Sequence, residues 1–336
     1  MKIRDPVTGF EYPEEWADLC DDKGALELVS QGLAVLTSKG DILRRGFTTG
    51  STAAAACRAA VLSLKDQVSS VDIRLSCGLR FEVCAEGRDG RGSAAKYSGD
   101  YKNDITAGLL FCAEASETKT GISFCPEEGI GRFERETPRY RKGDPAISPP
   151  AMDMILGAIT EAAEELGLKG VSVRLSIPKG REIGEKTLNP KVGVIGGVSV
   201  LGSTGLVEPW DDHLSEDVFE RIKDSERPVL TTGRVGLRFS RMLFPDSEVV
   251  LVGKFMGRAI EAAGGEAVLC GLPALILKFI NPAILKGTGY KTVEELTMSE
   301  NWGFILDKNL SDYKEKMPGM RVVIIDRDGE IIGDSK

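Results

Sequence analysis

Asn189-Pro190-Lys191-Val192-Gly193-Val194-Ile195-Gly196-Gly197-Val198-Ser199-Val200-Leu201-Gly202-Ser203-Thr204-Gly205 marks where the chain changes character. An apolar run from Val192 to Ile195 leads into Gly196-Gly197, and a second pair of glycines encloses Ser203-Thr204. Beyond it, short apolar runs at Val229 to Thr231, Glu248 to Val252, Ala267 to Cys270 and Arg321 to Ile325 alternate with stretches of helical period. That alternation predicts a mainly parallel, helix-flanked sheet, with Val192 to Ile195 as its first strand. A chain of 336 residues is long for one domain. The reading is an α+β domain over residues 1–188 followed by an α/β domain over residues 189–336.

Upstream, the patterning differs. A short helix near Lys23 to Gln31 and a strand at Leu33 to Thr37 precede an alanine-rich helix from Ala53 to Leu64. Val71 to Leu75 and Leu79 to Ala85 alternate apolar and polar around Cys77-Gly78, which predicts a β-hairpin. Ile105 to Ala115 reads as a further strand, and Gly121 to Pro150 as a long irregular stretch. Ser148-Pro149-Pro150 opens a helix that Gly167 ends, and Val171 to Ile177 follows as a strand.

Composition removes several classes of function. Hydrophobic residues make up 42% and charged residues 28%, as in an ordinary globular protein. The net charge of −8 has the wrong sign for a nucleic-acid-binding surface. The longest apolar run, Leu272 to Ile284, is interrupted by Lys278 and falls short of the ~20 residues of a membrane span. With no apolar signal core after Met1, a cytoplasmic location is expected. Seven scattered cysteines without a CxxC pair argue for reduced structural thiols. His213 is the only histidine, which excludes HExxH and triple-histidine sites, so no protein-bound metal is expected. Arg44-Arg45 and the run Arg132, Arg135, Arg139, Arg141, Lys142 concentrate positive charge locally.

Two segments place glycine and small hydroxyl residues at strand-to-helix junctions. Gly46-Phe47-Thr48-Thr49-Gly50-Ser51-Thr52 is not a phosphate loop, because one residue too few separates its glycines and Ser51 stands where a lysine belongs. A helix N-terminus with hydroxyls and an adjacent arginine pair would suit carboxylates. A capped helix packed through small residues would need the same sequence. The 189–205 segment lacks GxGxxG, so a dinucleotide fingerprint fails, yet its glycines would let backbone amides approach a ligand.

Taken together, the strings resemble a known family. Arg44-Arg45-Gly46-Phe47-Thr48-Thr49-Gly50-Ser51-Thr52-Ala53-Ala54-Ala55-Ala56 resembles the opening motif of the CbiD family of anaerobic cobalamin synthesis, and Lys186 through Pro209 is similar to its second hallmark. Glu11-Tyr12-Pro13-Glu14-Glu15-Trp16 resembles the N-terminal segment of archaeal members, and the likeness runs over roughly residues 10 to 260. Asp104-Ile105-Thr106-Ala107-Gly108 keeps the Asp-x-Thr-x-Gly core of the family's acidic loop, and Gly129-Ile130-Gly131 a shortened glycine turn. Gly253-Lys254-Phe255-Met256-Gly257 departs from the glycine-histidine-isoleucine-glycine-lysine stretch of bacterial members, which suits an archaeal subgroup.

The resemblance implies methyl transfer from S-adenosylmethionine to carbon 1 of cobalt-precorrin-5B, giving cobalt-precorrin-6A, with the cobalt carried by the substrate. Other enzymes of the cobalamin pathway would be its partners. For the cofactor the expected residues are Gly196, Gly197, Ser199, Gly202, Ser203, Thr204 and Gly205. Arg44, Arg45, Thr48, Thr49, Ser51, Arg139 and Arg141 would meet the carboxylates of the tetrapyrrole. Asp104 is the candidate base or hydrogen-bond partner for a proton, with a structural turn as its other reading. Two other functions fit the same residues: a paralogue methylating another tetrapyrrole, and a non-catalytic carrier of corrinoid intermediates.

Overall fold

Val71, Ile73, Val83 and Ala85 are buried while Asp72, Arg74, Cys84 and Glu86 are exposed, and this period of two sets one face of a sheet against the core. The computed structural model describes residues 3–136, 140–210 and 218–336. Within it, Arg44–Asp211 forms one unit, and Met1–Leu43 joins Asp212–Lys336 in another. The units therefore divide elsewhere than at 188/189: residues 189–210 stay with the chain before them, and the N-terminal segment belongs with the C-terminal sheet.

In the Arg44–Asp211 unit, β1 (Val68–Arg74), β2 (Arg80–Arg88), β3 (Arg91–Ala95), β4 (Leu110–Glu117), β5 (Gly121–Pro126) and β6 (Gly170–Ser176) form a six-stranded sheet. Its order is β5-β6-β4-β3-β2-β1, antiparallel except for the β5–β6 pair. The hairpin falls where expected, with Val71 opposite Val83. Part of the stretch read as irregular is in fact the edge strand β5. No residue of β5 is buried, so Ile122 and Phe124 are not drawn into a core as the apolar residues of the inner strands are.

Two helices cover this sheet, α1 (Thr49–Leu62) and α2 (Pro149–Glu165). Every residue from Thr49 to Val61 is buried, which explains why α1 is rich in alanine and has no polar face. Small residues bring backbone onto backbone here: a Cβ on Gly92 of β3 would lie 2.3 Å from the Ala56 carbonyl oxygen of α1.

The other unit holds β7 (Val229–Thr231), β8 (Val249–Leu251), β9 (Val268–Gly271), β10 (Arg321–Ile325) and β11 (Ile331–Asp334). Their order is β8-β7-β9-β10-β11, parallel except for the last strand. Leu230, Val250, Leu269, Val322 and Ile324 form the middle of its core, with helices such as Met256–Ala262 and Trp302–Lys316 packed around it, while α3 (Gly233–Leu243) packs against β7, β8 and β9. The parallel sheet is thus present, but Val192 to Ile195 is not its first strand. Pro190–Val192 is a 3₁₀ turn, and Gly193 and Gly196 have positive φ, so the apolar run is broken before it can extend. Val194–Ile195 pairs with Arg132–Phe133, and Gly197–Val198 with Gly129–Ile130.

Candidate functional site

The two glycine- and hydroxyl-rich segments, 150 residues apart in sequence, are joined by the fold. Thr48 caps α1, its Oγ1 accepting from the Ser51 amide at 3.2 Å. The Thr48 amide donates to the Gly205 carbonyl (3.0 Å) and the Gly50 amide to the Leu201 carbonyl (2.8 Å). Thr49 Oγ1 donates to the Ser199 carbonyl (3.1 Å) and accepts from the Leu201 amide (2.8 Å). Ser51 Oγ, wholly buried, donates to the Gly205 carbonyl at 2.5 Å. Gly46–Phe47 pairs antiparallel with Leu206–Val207.

These bonds change the reading of the predicted substrate residues. Thr48, Thr49 and Ser51 already have backbone partners from the second segment. Arg45 is 1% exposed and its Nε donates to Glu208 Oε2 at 3.3 Å, so it stabilises the junction from inside. Arg44 differs: its side chain is exposed, while its amide is held by Asp100 Oδ2 at 2.6 Å. Arg141 is also exposed, at a turn where its amide donates to Asp144 Oδ2 (2.7 Å). Arg139 and His213 lie outside the described residues.

The predicted cofactor loop is similarly engaged. Asn189 is buried at 9% exposure; its amide nitrogen donates to the Gly197 carbonyl and its Oδ1 accepts from Ser199 Oγ, each at 2.9 Å. A Cβ on Gly197 would sit 2.1 Å from the Gly129 carbonyl oxygen, and one on Gly202 would sit 2.5 Å from Thr48 Oγ1. The glycines that suggested close approach to a ligand are thus in close approach to the chain itself. Gly205 is closed off by Leu75, and the Thr204 carbonyl accepts from the Cys77 amide. Gly196 has open space beside it, and Ser203 borders an open cleft of about 470 Å³ with Arg74, Ser76, Asp153 and Glu161.

Asp104 stands apart from this junction in the sequence but beside it in the fold. Its Oδ2 accepts from Lys96 Nζ, and its Oδ1 accepts from the Thr106 amide (2.9 Å) and hydroxyl (2.5 Å). The next residue, Tyr97, accepts from the Phe47 amide at 2.8 Å. Burial alone would raise the Asp104 carboxyl, but the Lys96 charge and these hydrogen bonds outweigh it and hold the group below the usual aspartate range. Lys96 is lowered by its burial, with Asp104 pulling it partly back up. An ionised carboxylate with three donors is a weak base, and what Asp104 does here is neutralise a buried ammonium. Lys96, Asn189 and Glu208 were assigned no role from sequence. For Lys96 a signal existed: directly after β3, it continues the alternation in which Gly92 and Ala94 are buried.

The remaining chemistry is sparse. Burial pushes the Cys57 thiol far up and the Cys270 thiol up to about 11, which leaves both protonated. Among the described residues no group of three or more His, Cys, Asp or Glu side chains is placed to hold a metal ion, and no helix is long and apolar enough to cross a membrane.

A junction of two hallmark segments on a helix-covered mixed sheet, followed by a parallel-rich sheet, defines a class. The CbiD sequence profile matches residues 36–209. The chain belongs to the CbiD family. It is 53% identical over 335 residues to a Methanospirillum hungatei protein called cobalt-precorrin-5B C(1)-methyltransferase, covering 99% of this chain and 100% of that one. A Methanoculleus marisnigri protein of the same name is also 53% identical, with 99% of each chain covered. The crystal structure of the cobalamin biosynthesis protein cbiD from Archaeoglobus fulgidus is 34% identical, with a TM-score of 0.57 over 96% of this chain and 100% of that one.

Proposed function

We propose that this chain methylates carbon 1 of cobalt-precorrin-5B, with S-adenosylmethionine as donor, to give cobalt-precorrin-6A in cobalamin synthesis. The observation that carries the reading is 53% identity, end to end, to relatives with that activity in their names.

The donor supplies the methyl group as an electrophilic sulfonium. The nucleophilic carbon belongs to the tetrapyrrole, so the protein's task is alignment and exclusion of water. Alignment of that kind requires no nucleophilic side chain from the protein. Of the described arginines expected to meet substrate carboxylates, Arg44 and Arg141 are exposed and would be the guanidinium groups available, whereas Arg45 is buried and paired with Glu208. Asp104 fixes Lys96 and thereby the Tyr97 strand end that receives Phe47.

The 196–205 loop does not fit as the donor's cradle. The Ser199 hydroxyl and the backbone at Gly197, Gly202 and Gly205 are engaged inside the unit, so a donor carboxylate or ribose would find few groups to bind. Incubation of the purified protein with cobalt-precorrin-5B and S-adenosylmethionine should yield a product heavier by one methyl group, placed at carbon 1 by NMR. Methylation at a different carbon, or none, would reject the reading.

A further inference from the structure

Parallel sheets bind ligands where successive connections leave in opposite directions, at the carboxyl ends of the strands. In the order β8-β7-β9, the chain runs from β7 to β8 on one side and then crosses back to β9 on the other. The switch therefore lies between the ends of β7 and β9. β7 ends at Thr231, Thr232 is the N-cap of α3, and Gly233 begins that helix with φ +71 and open space beside its Cα. β9 ends at Gly271.

The side chains at this point are unlike those at the other helix start. Thr231 is 0% and Thr232 5% exposed, yet neither hydroxyl has a hydrogen-bond partner. Buried hydroxyls are ordinarily paired, because desolvating one without a partner is costly. Thr232 occupies an N-cap with extended backbone, as Thr48 does, but does not cap its helix. Its Oγ1 would stand 3.7 Å from a Cβ on Gly271, with the Ile276 side chain at 3.4 and 3.5 Å from the same position, so the hydroxyl lies between the two strand ends beside Gly271 and Ile276. Thr231 Oγ1 sits against Gly236, beneath the first turn of α3.

We propose that this crevice holds the carboxylate end of the methyl donor, with the Thr232 hydroxyl and the first-turn amides of α3 as its hydrogen-bond donors. The inference rests on the methyltransferase reading above. A helix N-terminus and a hydroxyl suit one small anion. A macrocycle bearing many carboxylates calls for cations instead, and the residues brought together here are threonine, glycine and Ile276. The site also answers where the donor goes, since the loop at 196–205 is engaged with its own unit.

The test is calorimetric titration of the full-length protein with S-adenosylmethionine and S-adenosylhomocysteine, with thermal melts by circular dichroism alongside. Thr232→Val removes the hydroxyl and keeps the shape, and should weaken both ligands about tenfold. Gly271→Leu crowds the space between Thr232 and Ile276 and should abolish binding. A decarboxylated donor analogue should bind the native protein and Thr232→Val equally. Unchanged donor affinity in folded Thr232→Val overturns the site, and so does weakened binding of a carboxylated tetrapyrrole with donor affinity intact. Failure of the native protein to bind either donor ligand would instead overturn the methyltransferase reading. If Gly271→Leu does not fold, Thr232→Val carries the test alone.

Discussion

Two helix starts in this chain have nearly the same local sequence chemistry and opposite states. At α1, Thr48-Thr49-Gly50-Ser51 is bonded throughout to residues 199–205 of the same unit. At α3, Thr231-Thr232-Gly233 keeps two buried hydroxyls without partners at the carboxyl end of an interior strand of a parallel sheet. Glycine beside threonine satisfies two different needs, close packing of backbone on backbone and exposure of polar groups to a ligand. Only the third dimension separates them. The richer motif turned out to be the internal fastening, and the plainer one has unpaired hydrogen-bonding capacity.

The comparison breaks first at Gly197. If the junction is packed as described, Gly197→Val has no room, because even its Cβ would lie 2.1 Å from the Gly129 carbonyl oxygen and 2.3 Å from the Gly129 carbonyl carbon. Backbone cannot rotate aside as a side chain can, so the expected loss is on the order of 4 kcal/mol or more, enough to unfold the unit. Urea denaturation followed by circular dichroism measures it. A variant with native-like stability would show that the junction is loose and could admit a ligand after all.

Next in size is the ion pair beside the junction. Asp104→Asn leaves the Lys96 ammonium buried without its counter-charge, which costs about 3–5 kcal/mol for a pair this enclosed. Replacing both partners, with Lys96→Met and Asp104→Leu, should restore most of that loss. The native pair also sets an acid limit. Asp104 has a folded-state value depressed below its unfolded one, so its contribution is full above about pH 4 and is lost as pH falls through the depressed value. Lys96 acts in the opposite range: with its folded-state value lowered, it penalises the fold while charged, and stability rises as pH climbs toward its unfolded value. Denaturation midpoints across acid pH should fall more steeply for the native protein than for the double variant. Parallel curves would mean that Asp104 contributes nothing as an anion.

Much of the architecture was legible because it depends on periods. Val71 opposite Val83, the prolines opening α2, and the apolar runs of β7, β9 and β10 each bury a face that the sequence spells directly. Residues 189–205 misled for a physical reason: an apolar run looks like a strand of a sheet until φ-positive Gly193 and Gly196 fold it back on itself. The mixed parentage of the second unit was also out of reach, since nothing local ties Met1–Leu43 to a sheet that starts at Val229. In the site, charge could be read but burial could not. Adjacent Arg44 and Arg45 look equivalent in sequence, and the fold turns one outward and closes the other against Glu208.

The two helix starts can be compared by one substitution made in each. Thr49→Val removes a hydroxyl that links the Leu201 amide to the Ser199 carbonyl, and it leaves that half-buried amide without its acceptor. The expected cost is about 2 kcal/mol, the sum of a lost bond and an unsatisfied donor. Thr231→Val exchanges one buried atom group for another of nearly the same shape, but here the hydroxyl has no bond to lose. Desolvation already penalises it, so replacing it by a methyl group should leave stability unchanged or raise it by up to about 1 kcal/mol. Thermal melts of both variants, made side by side without ligand, give the difference directly. A loss at Thr231 as large as that at Thr49 would mean that its hydroxyl is bonded in the free protein, and the contrast between a bonded junction and an unpaired strand end would fail.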